Sequence, residues 1–128
     1  MTFGKFITAL ALVAGLGSPA FGGDLTPVGT WQTEGGESRY VVSLCGDGTQ
    51  LCATLTWLRA DARTPENLAL LNEMVVEGAR PTASNKWRGT LHHDGQTVSG
   101  SVTLVDEDKM TLSGCKLIAC QQVDFVRV

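Results

Sequence analysis

The four cysteines are the side chains of this sequence whose spacing says most about its chemistry. They form two close pairs, Cys45 with Cys52 and Cys115 with Cys120. Close cysteine pairs usually bind zinc in cytosolic proteins and form disulfides in exported proteins. The chemistry of these residues therefore depends on the compartment, which other parts of the sequence indicate.

The two histidines are the remaining candidates for metal binding. His92 and His93 are adjacent in a segment with the pattern of a β-strand, so their rings should point to opposite faces of the sheet. One metal ion could not easily take both as ligands, and we expect no metal site. The sequence also lacks Gly-x-Ser-x-Gly, His-Glu-x-x-His and glycine-rich phosphate-loop motifs. We therefore expect neither an enzyme nor a bound cofactor.

The first 22 residues have the pattern of a signal peptide. Lys5 precedes an apolar core over Phe6–Leu16, and small residues near Ala20 and Gly22 allow cleavage after either one. The apolar core is too short to cross a bilayer, which disfavours a membrane anchor. We expect a signal peptide over 1–22, a mature chain over 23–128 without an integral membrane segment, and a periplasmic or secreted location. In that compartment the cysteines should form disulfides.

The net charge restricts the classes of partner, and the chain length restricts the number of domains. The formal net charge is −3, and it becomes one unit more negative once Lys5 is removed. A negative chain is a poor match for nucleic acid or for an anionic membrane surface. The mature length suits one domain with one core, and we expect a monomer.

The first cysteine pair predicts a hairpin. If Cys45 and Cys52 lie directly opposite each other, one face of the hairpin is polar and carries the disulfide, while the other is apolar and faces a core. The facing pairs on the apolar side would be Leu44 with Ala53, Val42 with Leu55, and Tyr40 with Trp57. The intervening residues have the composition of a turn.

Two further hairpins follow the same reasoning. Opposing Cys115 and Cys120 again separates a polar face from an apolar one, which favours local disulfides over the other two connectivities. Asp94-Gly95 is a strong signal for a two-residue turn. The apolar pairs would be Leu112 with Val123 and Met110 with Phe125 in one hairpin, and Leu91 with Val98, Gly89 with Gly100 and Trp87 with Val102 in the other.

Short strands at regular spacing predict an all-β fold, either a closed barrel or a sandwich. Thr64-Pro65-Glu66 is a good helix start, and part of Asn72–Ala79 favours an eighth strand. The other strands are expected near Gly29–Thr33, Ser38–Cys45, Leu51–Leu58, Asn85–His92, Gln96–Val105, Lys109–Cys115 and Cys120–Arg127. We expect an eight-stranded antiparallel up-and-down barrel with one short helix or helical turn.

Gly29-Thr30-Trp31 at the first strand and Arg127 in the last are similar to the pattern of lipocalin-like barrels. In that pattern the arginine covers the tryptophan and closes one end, because a guanidinium can stack on an indole face. We therefore predict that Trp31 and Arg127 are in contact.

The whole mature chain also resembles domain-of-unknown-function family 2147, which consists of small exported bacterial proteins. The motifs that carry the resemblance are Val28-Gly29-Thr30-Trp31, Leu51-Cys52, Thr56-Trp57-Leu58, Lys86-Trp87-Arg88-Gly89 and Ser113-Gly114-Cys115. The resemblance implies a lipocalin-like barrel and no established activity, so it supplies no catalytic residues.

The apolar face determines whether the barrel is filled or hollow. Side chains of eight strands can fill a small barrel, but Gly89, Gly100 and Gly114 share the inward face and could leave space. Both interpretations remain open. If a ligand binds, we expect it to contact Tyr40, Trp57, Trp87, Val98 and Val102, with Met74 near the entrance.

The favoured function is the binding of a small apolar or amphipathic ligand in the cell envelope by an exported lipocalin-like protein. The alternative is a protein-binding module, such as an inhibitor of an envelope or foreign hydrolase.

Overall fold

Eight antiparallel strands close into an up-and-down barrel in which each strand pairs with its neighbours in the sequence and the last pairs with the first. The computed structural model describes residues 25–93, 96–116 and 118–128. The strands are β1 (Gly29–Thr33), β2 (Ser38–Cys45), β3 (Gln50–Leu58), β4 (Met74–Ala83), β5 (Lys86–His93), β6 (Gln96–Asp106), β7 (Lys109–Lys116) and β8 (Ala119–Arg127). The predicted fold class is confirmed, whereas the predicted signal peptide lies outside the described residues.

The strands form where apolar and polar residues alternate. In β3, Leu51, Ala53 and Leu55 are buried while Cys52 and Thr54 between them are only partly buried. Successive side chains of a strand point to opposite faces, so this alternation places one set inside the barrel. The buried residues from all the strands form one hydrophobic core.

Both predicted disulfides are present, Cys45–Cys52 and Cys115–Cys120. The register predicted for β7 with β8 and for β5 with β6 is also confirmed. Cys115 faces Cys120, Met110 faces Phe125, and Gly89 faces Gly100.

The register predicted for β2 with β3 is wrong by two residues. Cys45 faces Gln50 rather than Cys52, and the disulfide joins diagonal positions whose Cα atoms are 6.0 Å apart. The chain turns earlier than expected because Gly46 and Gly48 both adopt positive φ angles, which glycine tolerates. The Gly48 N–H also donates to the Cys45 carbonyl at 3.0 Å. A shift of two residues keeps every side chain on its predicted face, so the alternation could not detect it.

A β-bulge corrects the orientation predicted for Trp57. The register of β2 against β3 shifts between Arg39 and Tyr40, so that Arg39 faces Trp57 and Tyr40 faces Leu55. A bulge adds one residue to a strand and reverses the faces beyond it. Trp57 is 38% exposed on the outer surface, where the Arg39 guanidinium lies 4.7 Å from its ring centroid. The prediction that Trp57 points into the barrel is therefore wrong.

The connection from β3 to β4 contains the only helical turns among the described residues. A 3-10 helix spans Ala60–Ala62, and an α-helix, α1, spans Pro65–Leu70. The Thr64 hydroxyl caps α1 by accepting a hydrogen bond from the Asn67 N–H at 3.2 Å. The predicted helix start is confirmed. No helix among the described residues is long and apolar enough to span a membrane.

Candidate functional site

The two ends of the barrel differ in how their interiors are occupied. The turns after β2, β4 and β6 lie at one end together with both chain termini of the barrel, and we call it the closed end. The turns after β1, β5 and β7 and the connection that contains α1 lie at the other end, which we call the mouth.

Arg127 and Trp31 plug the closed end, as predicted. The guanidinium carbon of Arg127 lies 4.3 Å from the Trp31 ring centroid, within the range of a cation–π contact. Arg127 also donates to three backbone carbonyls, those of Glu107 at 2.6 Å, Val28 at 2.9 Å and Thr26 at 2.7 Å. The Trp31 indole N–H donates to the Pro27 carbonyl at 2.8 Å. A ligand could not enter here without breaking these contacts.

The close approach of Arg127 explains the glycine that precedes Trp31 by two positions. Gly29 has φ of +143°, and a Cβ atom built there would lie 2.6 Å from Arg127 Nη1. Any other residue at this position would strain the backbone and displace the guanidinium.

The mouth half contains a cavity of about 810 Å³, which we call the wide cavity. Its apolar wall consists of Leu55, Leu58, Leu70, Val75, Val76, Leu91, Val98, Leu112, Val123 and Phe125. Its polar side consists of residues in the β1–β2 turn and along β8, including Glu34, Glu37, Ser38 and Gln121. Pockets that hold small molecules commonly have this size and this mixture of apolar wall and few polar groups.

A second, much smaller cavity of about 40 Å³ lies deeper in the barrel. Four side chains line both cavities and separate them: Tyr40, Val76, Leu112 and Phe125. The rings of Tyr40 and Phe125 meet edge to face with centroids 5.4 Å apart. This layer forms the floor of the wide cavity.

Tyr40 brings a hydroxyl group to that floor. Its oxygen accepts a hydrogen bond from the Ser38 hydroxyl at 3.0 Å, and Ser38 is itself only 6% exposed. Burial raises the pKa of Tyr40 above its ordinary value, with the Ser38 hydrogen bond acting in the opposite direction. A ligand in the wide cavity would therefore meet one neutral hydroxyl pair at the bottom of an apolar pocket.

Two of the three inward glycines leave no empty space. A Cβ at Gly89 would lie 2.9 Å from Ala79 Cα, and a Cβ at Gly100 would overlap the Leu91 side chain. Of the two interpretations left open by the sequence, the filled one holds at these two positions, because Ala79 and Leu91 occupy the gaps. Gly114 differs: a Cβ there would make only ordinary contacts with Leu91 at 3.5 Å and Val98 at 3.6 Å, and Gly114 lines the wide cavity.

The structure brings some of the predicted ligand-binding residues together and separates others. Tyr40 and Val98 line the wide cavity, and Val102 lines the small one. Trp87 is buried in the filled half, lines neither cavity, and donates from its indole N–H to the Thr49 carbonyl at 3.0 Å. Met74 lines neither cavity and is 48% exposed; its neighbour Val75 has the inward position.

Sequence reasoning missed the cavity residues that lie outside the regular strands. Leu58, Ala62, Asn67 and Leu70 come from the end of β3 and the connection to β4. Gln121 could have been found from the β7–β8 register, since it faces Gly114.

The charge of the wide cavity is one-sided. Glu34, Glu37 and Asp124 line it, and no lysine or arginine is among the described residues that do. The Thr33 hydroxyl donates to Glu37 Oε1 at 2.8 Å and lowers the pKa of that carboxyl group, which favours its charged form. Lys109 Nζ lies 3.9 Å from Asp124 Oδ2 and offsets part of the charge there.

The described residues contain no group of three or more histidine, cysteine, aspartate or glutamate side chains that could hold a metal ion. His92 lines the wide cavity, and its Nε2 atom lies 2.8 Å from Glu77 Oε2.

A family model described as an uncharacterized protein conserved in bacteria, DUF2147, matches residues 29–127. The match spans all eight strands, from the start of β1 to the end of β8, and it confirms the resemblance predicted from the sequence. No curated protein and no solved structure matches the chain.

Proposed function

We propose a ligand-binding function for this chain, which belongs to the DUF2147 family of uncharacterized proteins conserved in bacteria. The barrel takes up a small apolar or amphipathic ligand through its mouth and holds it in the wide cavity. The protein acts as an exported monomer in the periplasm or outside the cell, and it acts by binding rather than by catalysis. Two disulfides within one small domain suit such a compartment.

One observation carries this proposal: the wide cavity joins a large apolar wall to an entrance, while the opposite end of the barrel is plugged. Burying apolar ligand surface contributes roughly 25 cal/mol per Å², so an apolar wall of this extent can supply most of the binding free energy. The polar side near the β1–β2 turn leaves room for a hydrophilic group on the ligand. The Tyr40 and Ser38 hydroxyls form the polar point at the floor.

The proposal is tested with a leucine that fills the cavity. Gly114→Leu places its side chain in the wide cavity, since a Cβ there meets no atom closer than 3.5 Å. Ser99→Leu adds the same side chain on the exposed outer face of β6 and is the matched control.

Denaturant unfolding first shows that the parent and each variant are folded. Each protein is then titrated into a neutral naphthylamine dye, and the dye fluorescence is measured. We expect the parent and Ser99→Leu to bind the dye with equal affinity and Gly114→Leu to lose binding. If the folded parent does not bind the dye, or if Gly114→Leu binds it like the parent, the proposed function is wrong.

A second candidate function, the binding of another protein, is favoured by one specific observation. Part of β8 at the mouth has no strand beside it on the β1 side among the described residues.

A further inference from the structure

Residues 119–123 of β8, at the mouth, form a sheet edge with no described strand on the β1 side. β1 pairs with β8 through Trp31 with Arg127, Gln32 with Val126 and Thr33 with Phe125. One more bond follows, from the Glu34 N–H to the Asp124 carbonyl at 2.9 Å, before the chain turns into β2. Residues 119–123 therefore have β7 on one side and no described strand on the other. The mouth ends of β3 and β6 also extend past the described pairs with β4 and β7, but over fewer residues. Exposed edges of this kind can pair with another chain.

The free backbone groups of this edge can be identified. Backbone N–H and C=O groups of one residue in an antiparallel strand point to the same side, and the side alternates along the strand. The Asp124 carbonyl faces β1, whereas the Arg127 N–H faces β7 and donates to the Asp108 carbonyl. Cys120 and Gln122 have the parity of Asp124, so their N–H and C=O groups face the gap.

The gap also has the surroundings of a binding surface. Ala119, Gln121 and Val123 along this edge line the wide cavity, and all three are exposed. Ile118, at the turn between β7 and β8, is 100% exposed and adds apolar surface next to this edge. An added strand would thus have a hydrogen-bonding edge beside apolar surface.

The charges around the gap select the partner. Glu34 and Glu37 lie in the turn on the far side of the gap from β8, and Asp124 lies at its base. Arg59 donates to the Gly35 carbonyl of this turn and to Asp61, and its charge acts on both Asp61 and Glu37. Lys109 offsets part of the charge of Asp124, so Glu34 and Glu37 leave the surroundings of the gap net negative. A cationic partner would be attracted here and an anionic one repelled.

We propose that an extended, basic polypeptide segment of a partner protein binds at this gap as an added strand beside β8. Its backbone pairs with Cys120 and Gln122, its lysine or arginine side chains meet Glu34 and Glu37, and its apolar side chains pack on the rim of the wide cavity. Strand addition to an exposed edge is a common mode of peptide recognition, in which backbone hydrogen bonds supply affinity.

The backbone part is tested with two variants of one residue. Gln122→Pro removes the N–H that faces the gap and leaves the bonds to β7 intact, whereas Gln122→Ala removes only the side chain. The probe is a labelled, terminally blocked seven-residue peptide of alternating lysine and valine, and the readout is fluorescence anisotropy. We expect Gln122→Ala to bind the peptide like the parent and Gln122→Pro to bind at least about tenfold more weakly.

The backbone hydrogen bonds between the peptide and β8 are also tested by changing the peptide instead of the protein. A peptide with N-methyl groups on alternate amides cannot donate to the edge, and we expect it to bind the parent at least about tenfold more weakly than the unmodified peptide. This comparison keeps the test decisive if Gln122→Pro does not fold.

The attraction between the lysine peptide and the carboxylates beside the gap is tested with two matched double variants. Glu34→Gln with Glu37→Gln removes the two carboxylates beside the gap, and Glu66→Gln with Glu107→Gln removes two exposed carboxylates that do not line the wide cavity. We expect the first pair to weaken binding of the lysine peptide about fivefold and the second to leave it nearly unchanged. A peptide with glutamate in place of lysine should not bind.

Three results would overturn the inference. The first is that the parent does not bind the lysine peptide, and the second is that the parent binds the N-methylated peptide as tightly as the unmodified one. The third is that the parent dimerises with increasing concentration in sedimentation and that Gln122→Pro abolishes the dimer, which would make a second copy of this chain the occupant. Dye binding in the wide cavity is measured beside each, so failure of the edge is distinguishable from failure of the cavity.

Discussion

The closed end and the mouth of this barrel are built from the same eight strands, yet they satisfy their polar groups in opposite ways. At the closed end, Arg127 and Trp31 direct four hydrogen bonds to backbone carbonyls of the chain's own segments. At the mouth, β8 runs past the end of β1, so that one of its edges has no strand beside it among the described residues, and a wide cavity lies beside that edge. One end is therefore plugged by contacts within the chain, whereas the other leaves polar groups and apolar surface exposed.

The inward glycines differ in how closely their neighbours pack. Ala79 and Leu91 occupy the space that a side chain would need at Gly89 and Gly100, whereas a Cβ at Gly114, which lines the wide cavity, would make only ordinary contacts. An added methyl group should therefore have different consequences at Gly100 and at Gly114, although the two residues face each other across β6 and β7.

Arg127→Ala should have the largest effect, because it removes three hydrogen bonds and the cation–π contact from the plug. We expect a loss of about 2–3 kcal/mol in the free energy of unfolding, measured by denaturant titration. Arg88→Ala is the control, since Arg88 is an exposed arginine on β5, and it should change stability by less than about 0.5 kcal/mol. Equal effects of the two variants would show that the closed end is not plugged.

Removing one disulfide at a time shows whether a loss of stability and a loss of dye binding occur together. Replacing both cysteines of either pair by serine should cost about 2 kcal/mol, because both loops are short. Only the loss of Cys115–Cys120 should also weaken dye binding, since β7 is the sole described neighbour of β8 at the mouth. The β2–β3 hairpin is flanked by β1 and β4. If both double variants weaken dye binding equally, the mouth is not the more loosely held end.

An added methyl group at Gly100 or at Gly114 measures how tightly the barrel interior is packed at each position. Gly100→Ala should destabilise the barrel by about 1–2 kcal/mol, because its Cβ overlaps Leu91 and the backbone carbonyl of Ser113. Gly114→Ala should change stability by less than about 0.5 kcal/mol. Thermal unfolding of the two variants checks this, and the reverse order would contradict the tight packing at Gly100 and the ordinary contacts at Gly114.

The smallest effect should be an upward shift in the pKa of Tyr40. Tyr40 is the only tyrosine, so tyrosinate absorbance reports this residue alone, and burial raises its pKa above 10.0. Because the folded state holds the proton more tightly than the unfolded chain, this contribution to stability is intact below about pH 10 and is lost as pH rises through the folded pKa. A folded-state midpoint at or below that of the denatured protein would contradict the buried floor of the wide cavity.

The sequence predicted those features that depend on the alternation of faces. The β7–β8 register follows from the alternation of apolar and polar residues, and the contact between Trp31 and Arg127 follows from residue types that have few other uses together. The β2–β3 register could not be found in this way, because a shift of two residues preserves every face.

The candidate site was harder to predict because its geometry depends on irregular backbone. One bulge near Tyr40 moves Trp57 to the outer surface, and nothing in the alternation marks that bulge. Leu70 lines the wide cavity from α1, and Leu58 and Val75 line it from strand ends next to bulges and register shifts, where the period of two is interrupted. Whether Leu91 or empty space faces a glycine depends on side-chain packing between strands.

Native mass spectrometry of the protein purified from its own compartment tests most directly whether the mouth half holds a ligand. We expect the parent and Ser99→Leu to carry one apolar or amphipathic small molecule, released by organic solvent, and Gly114→Leu to have the mass of the chain alone. A parent protein without added mass, or the same added mass on folded Gly114→Leu, would contradict the account.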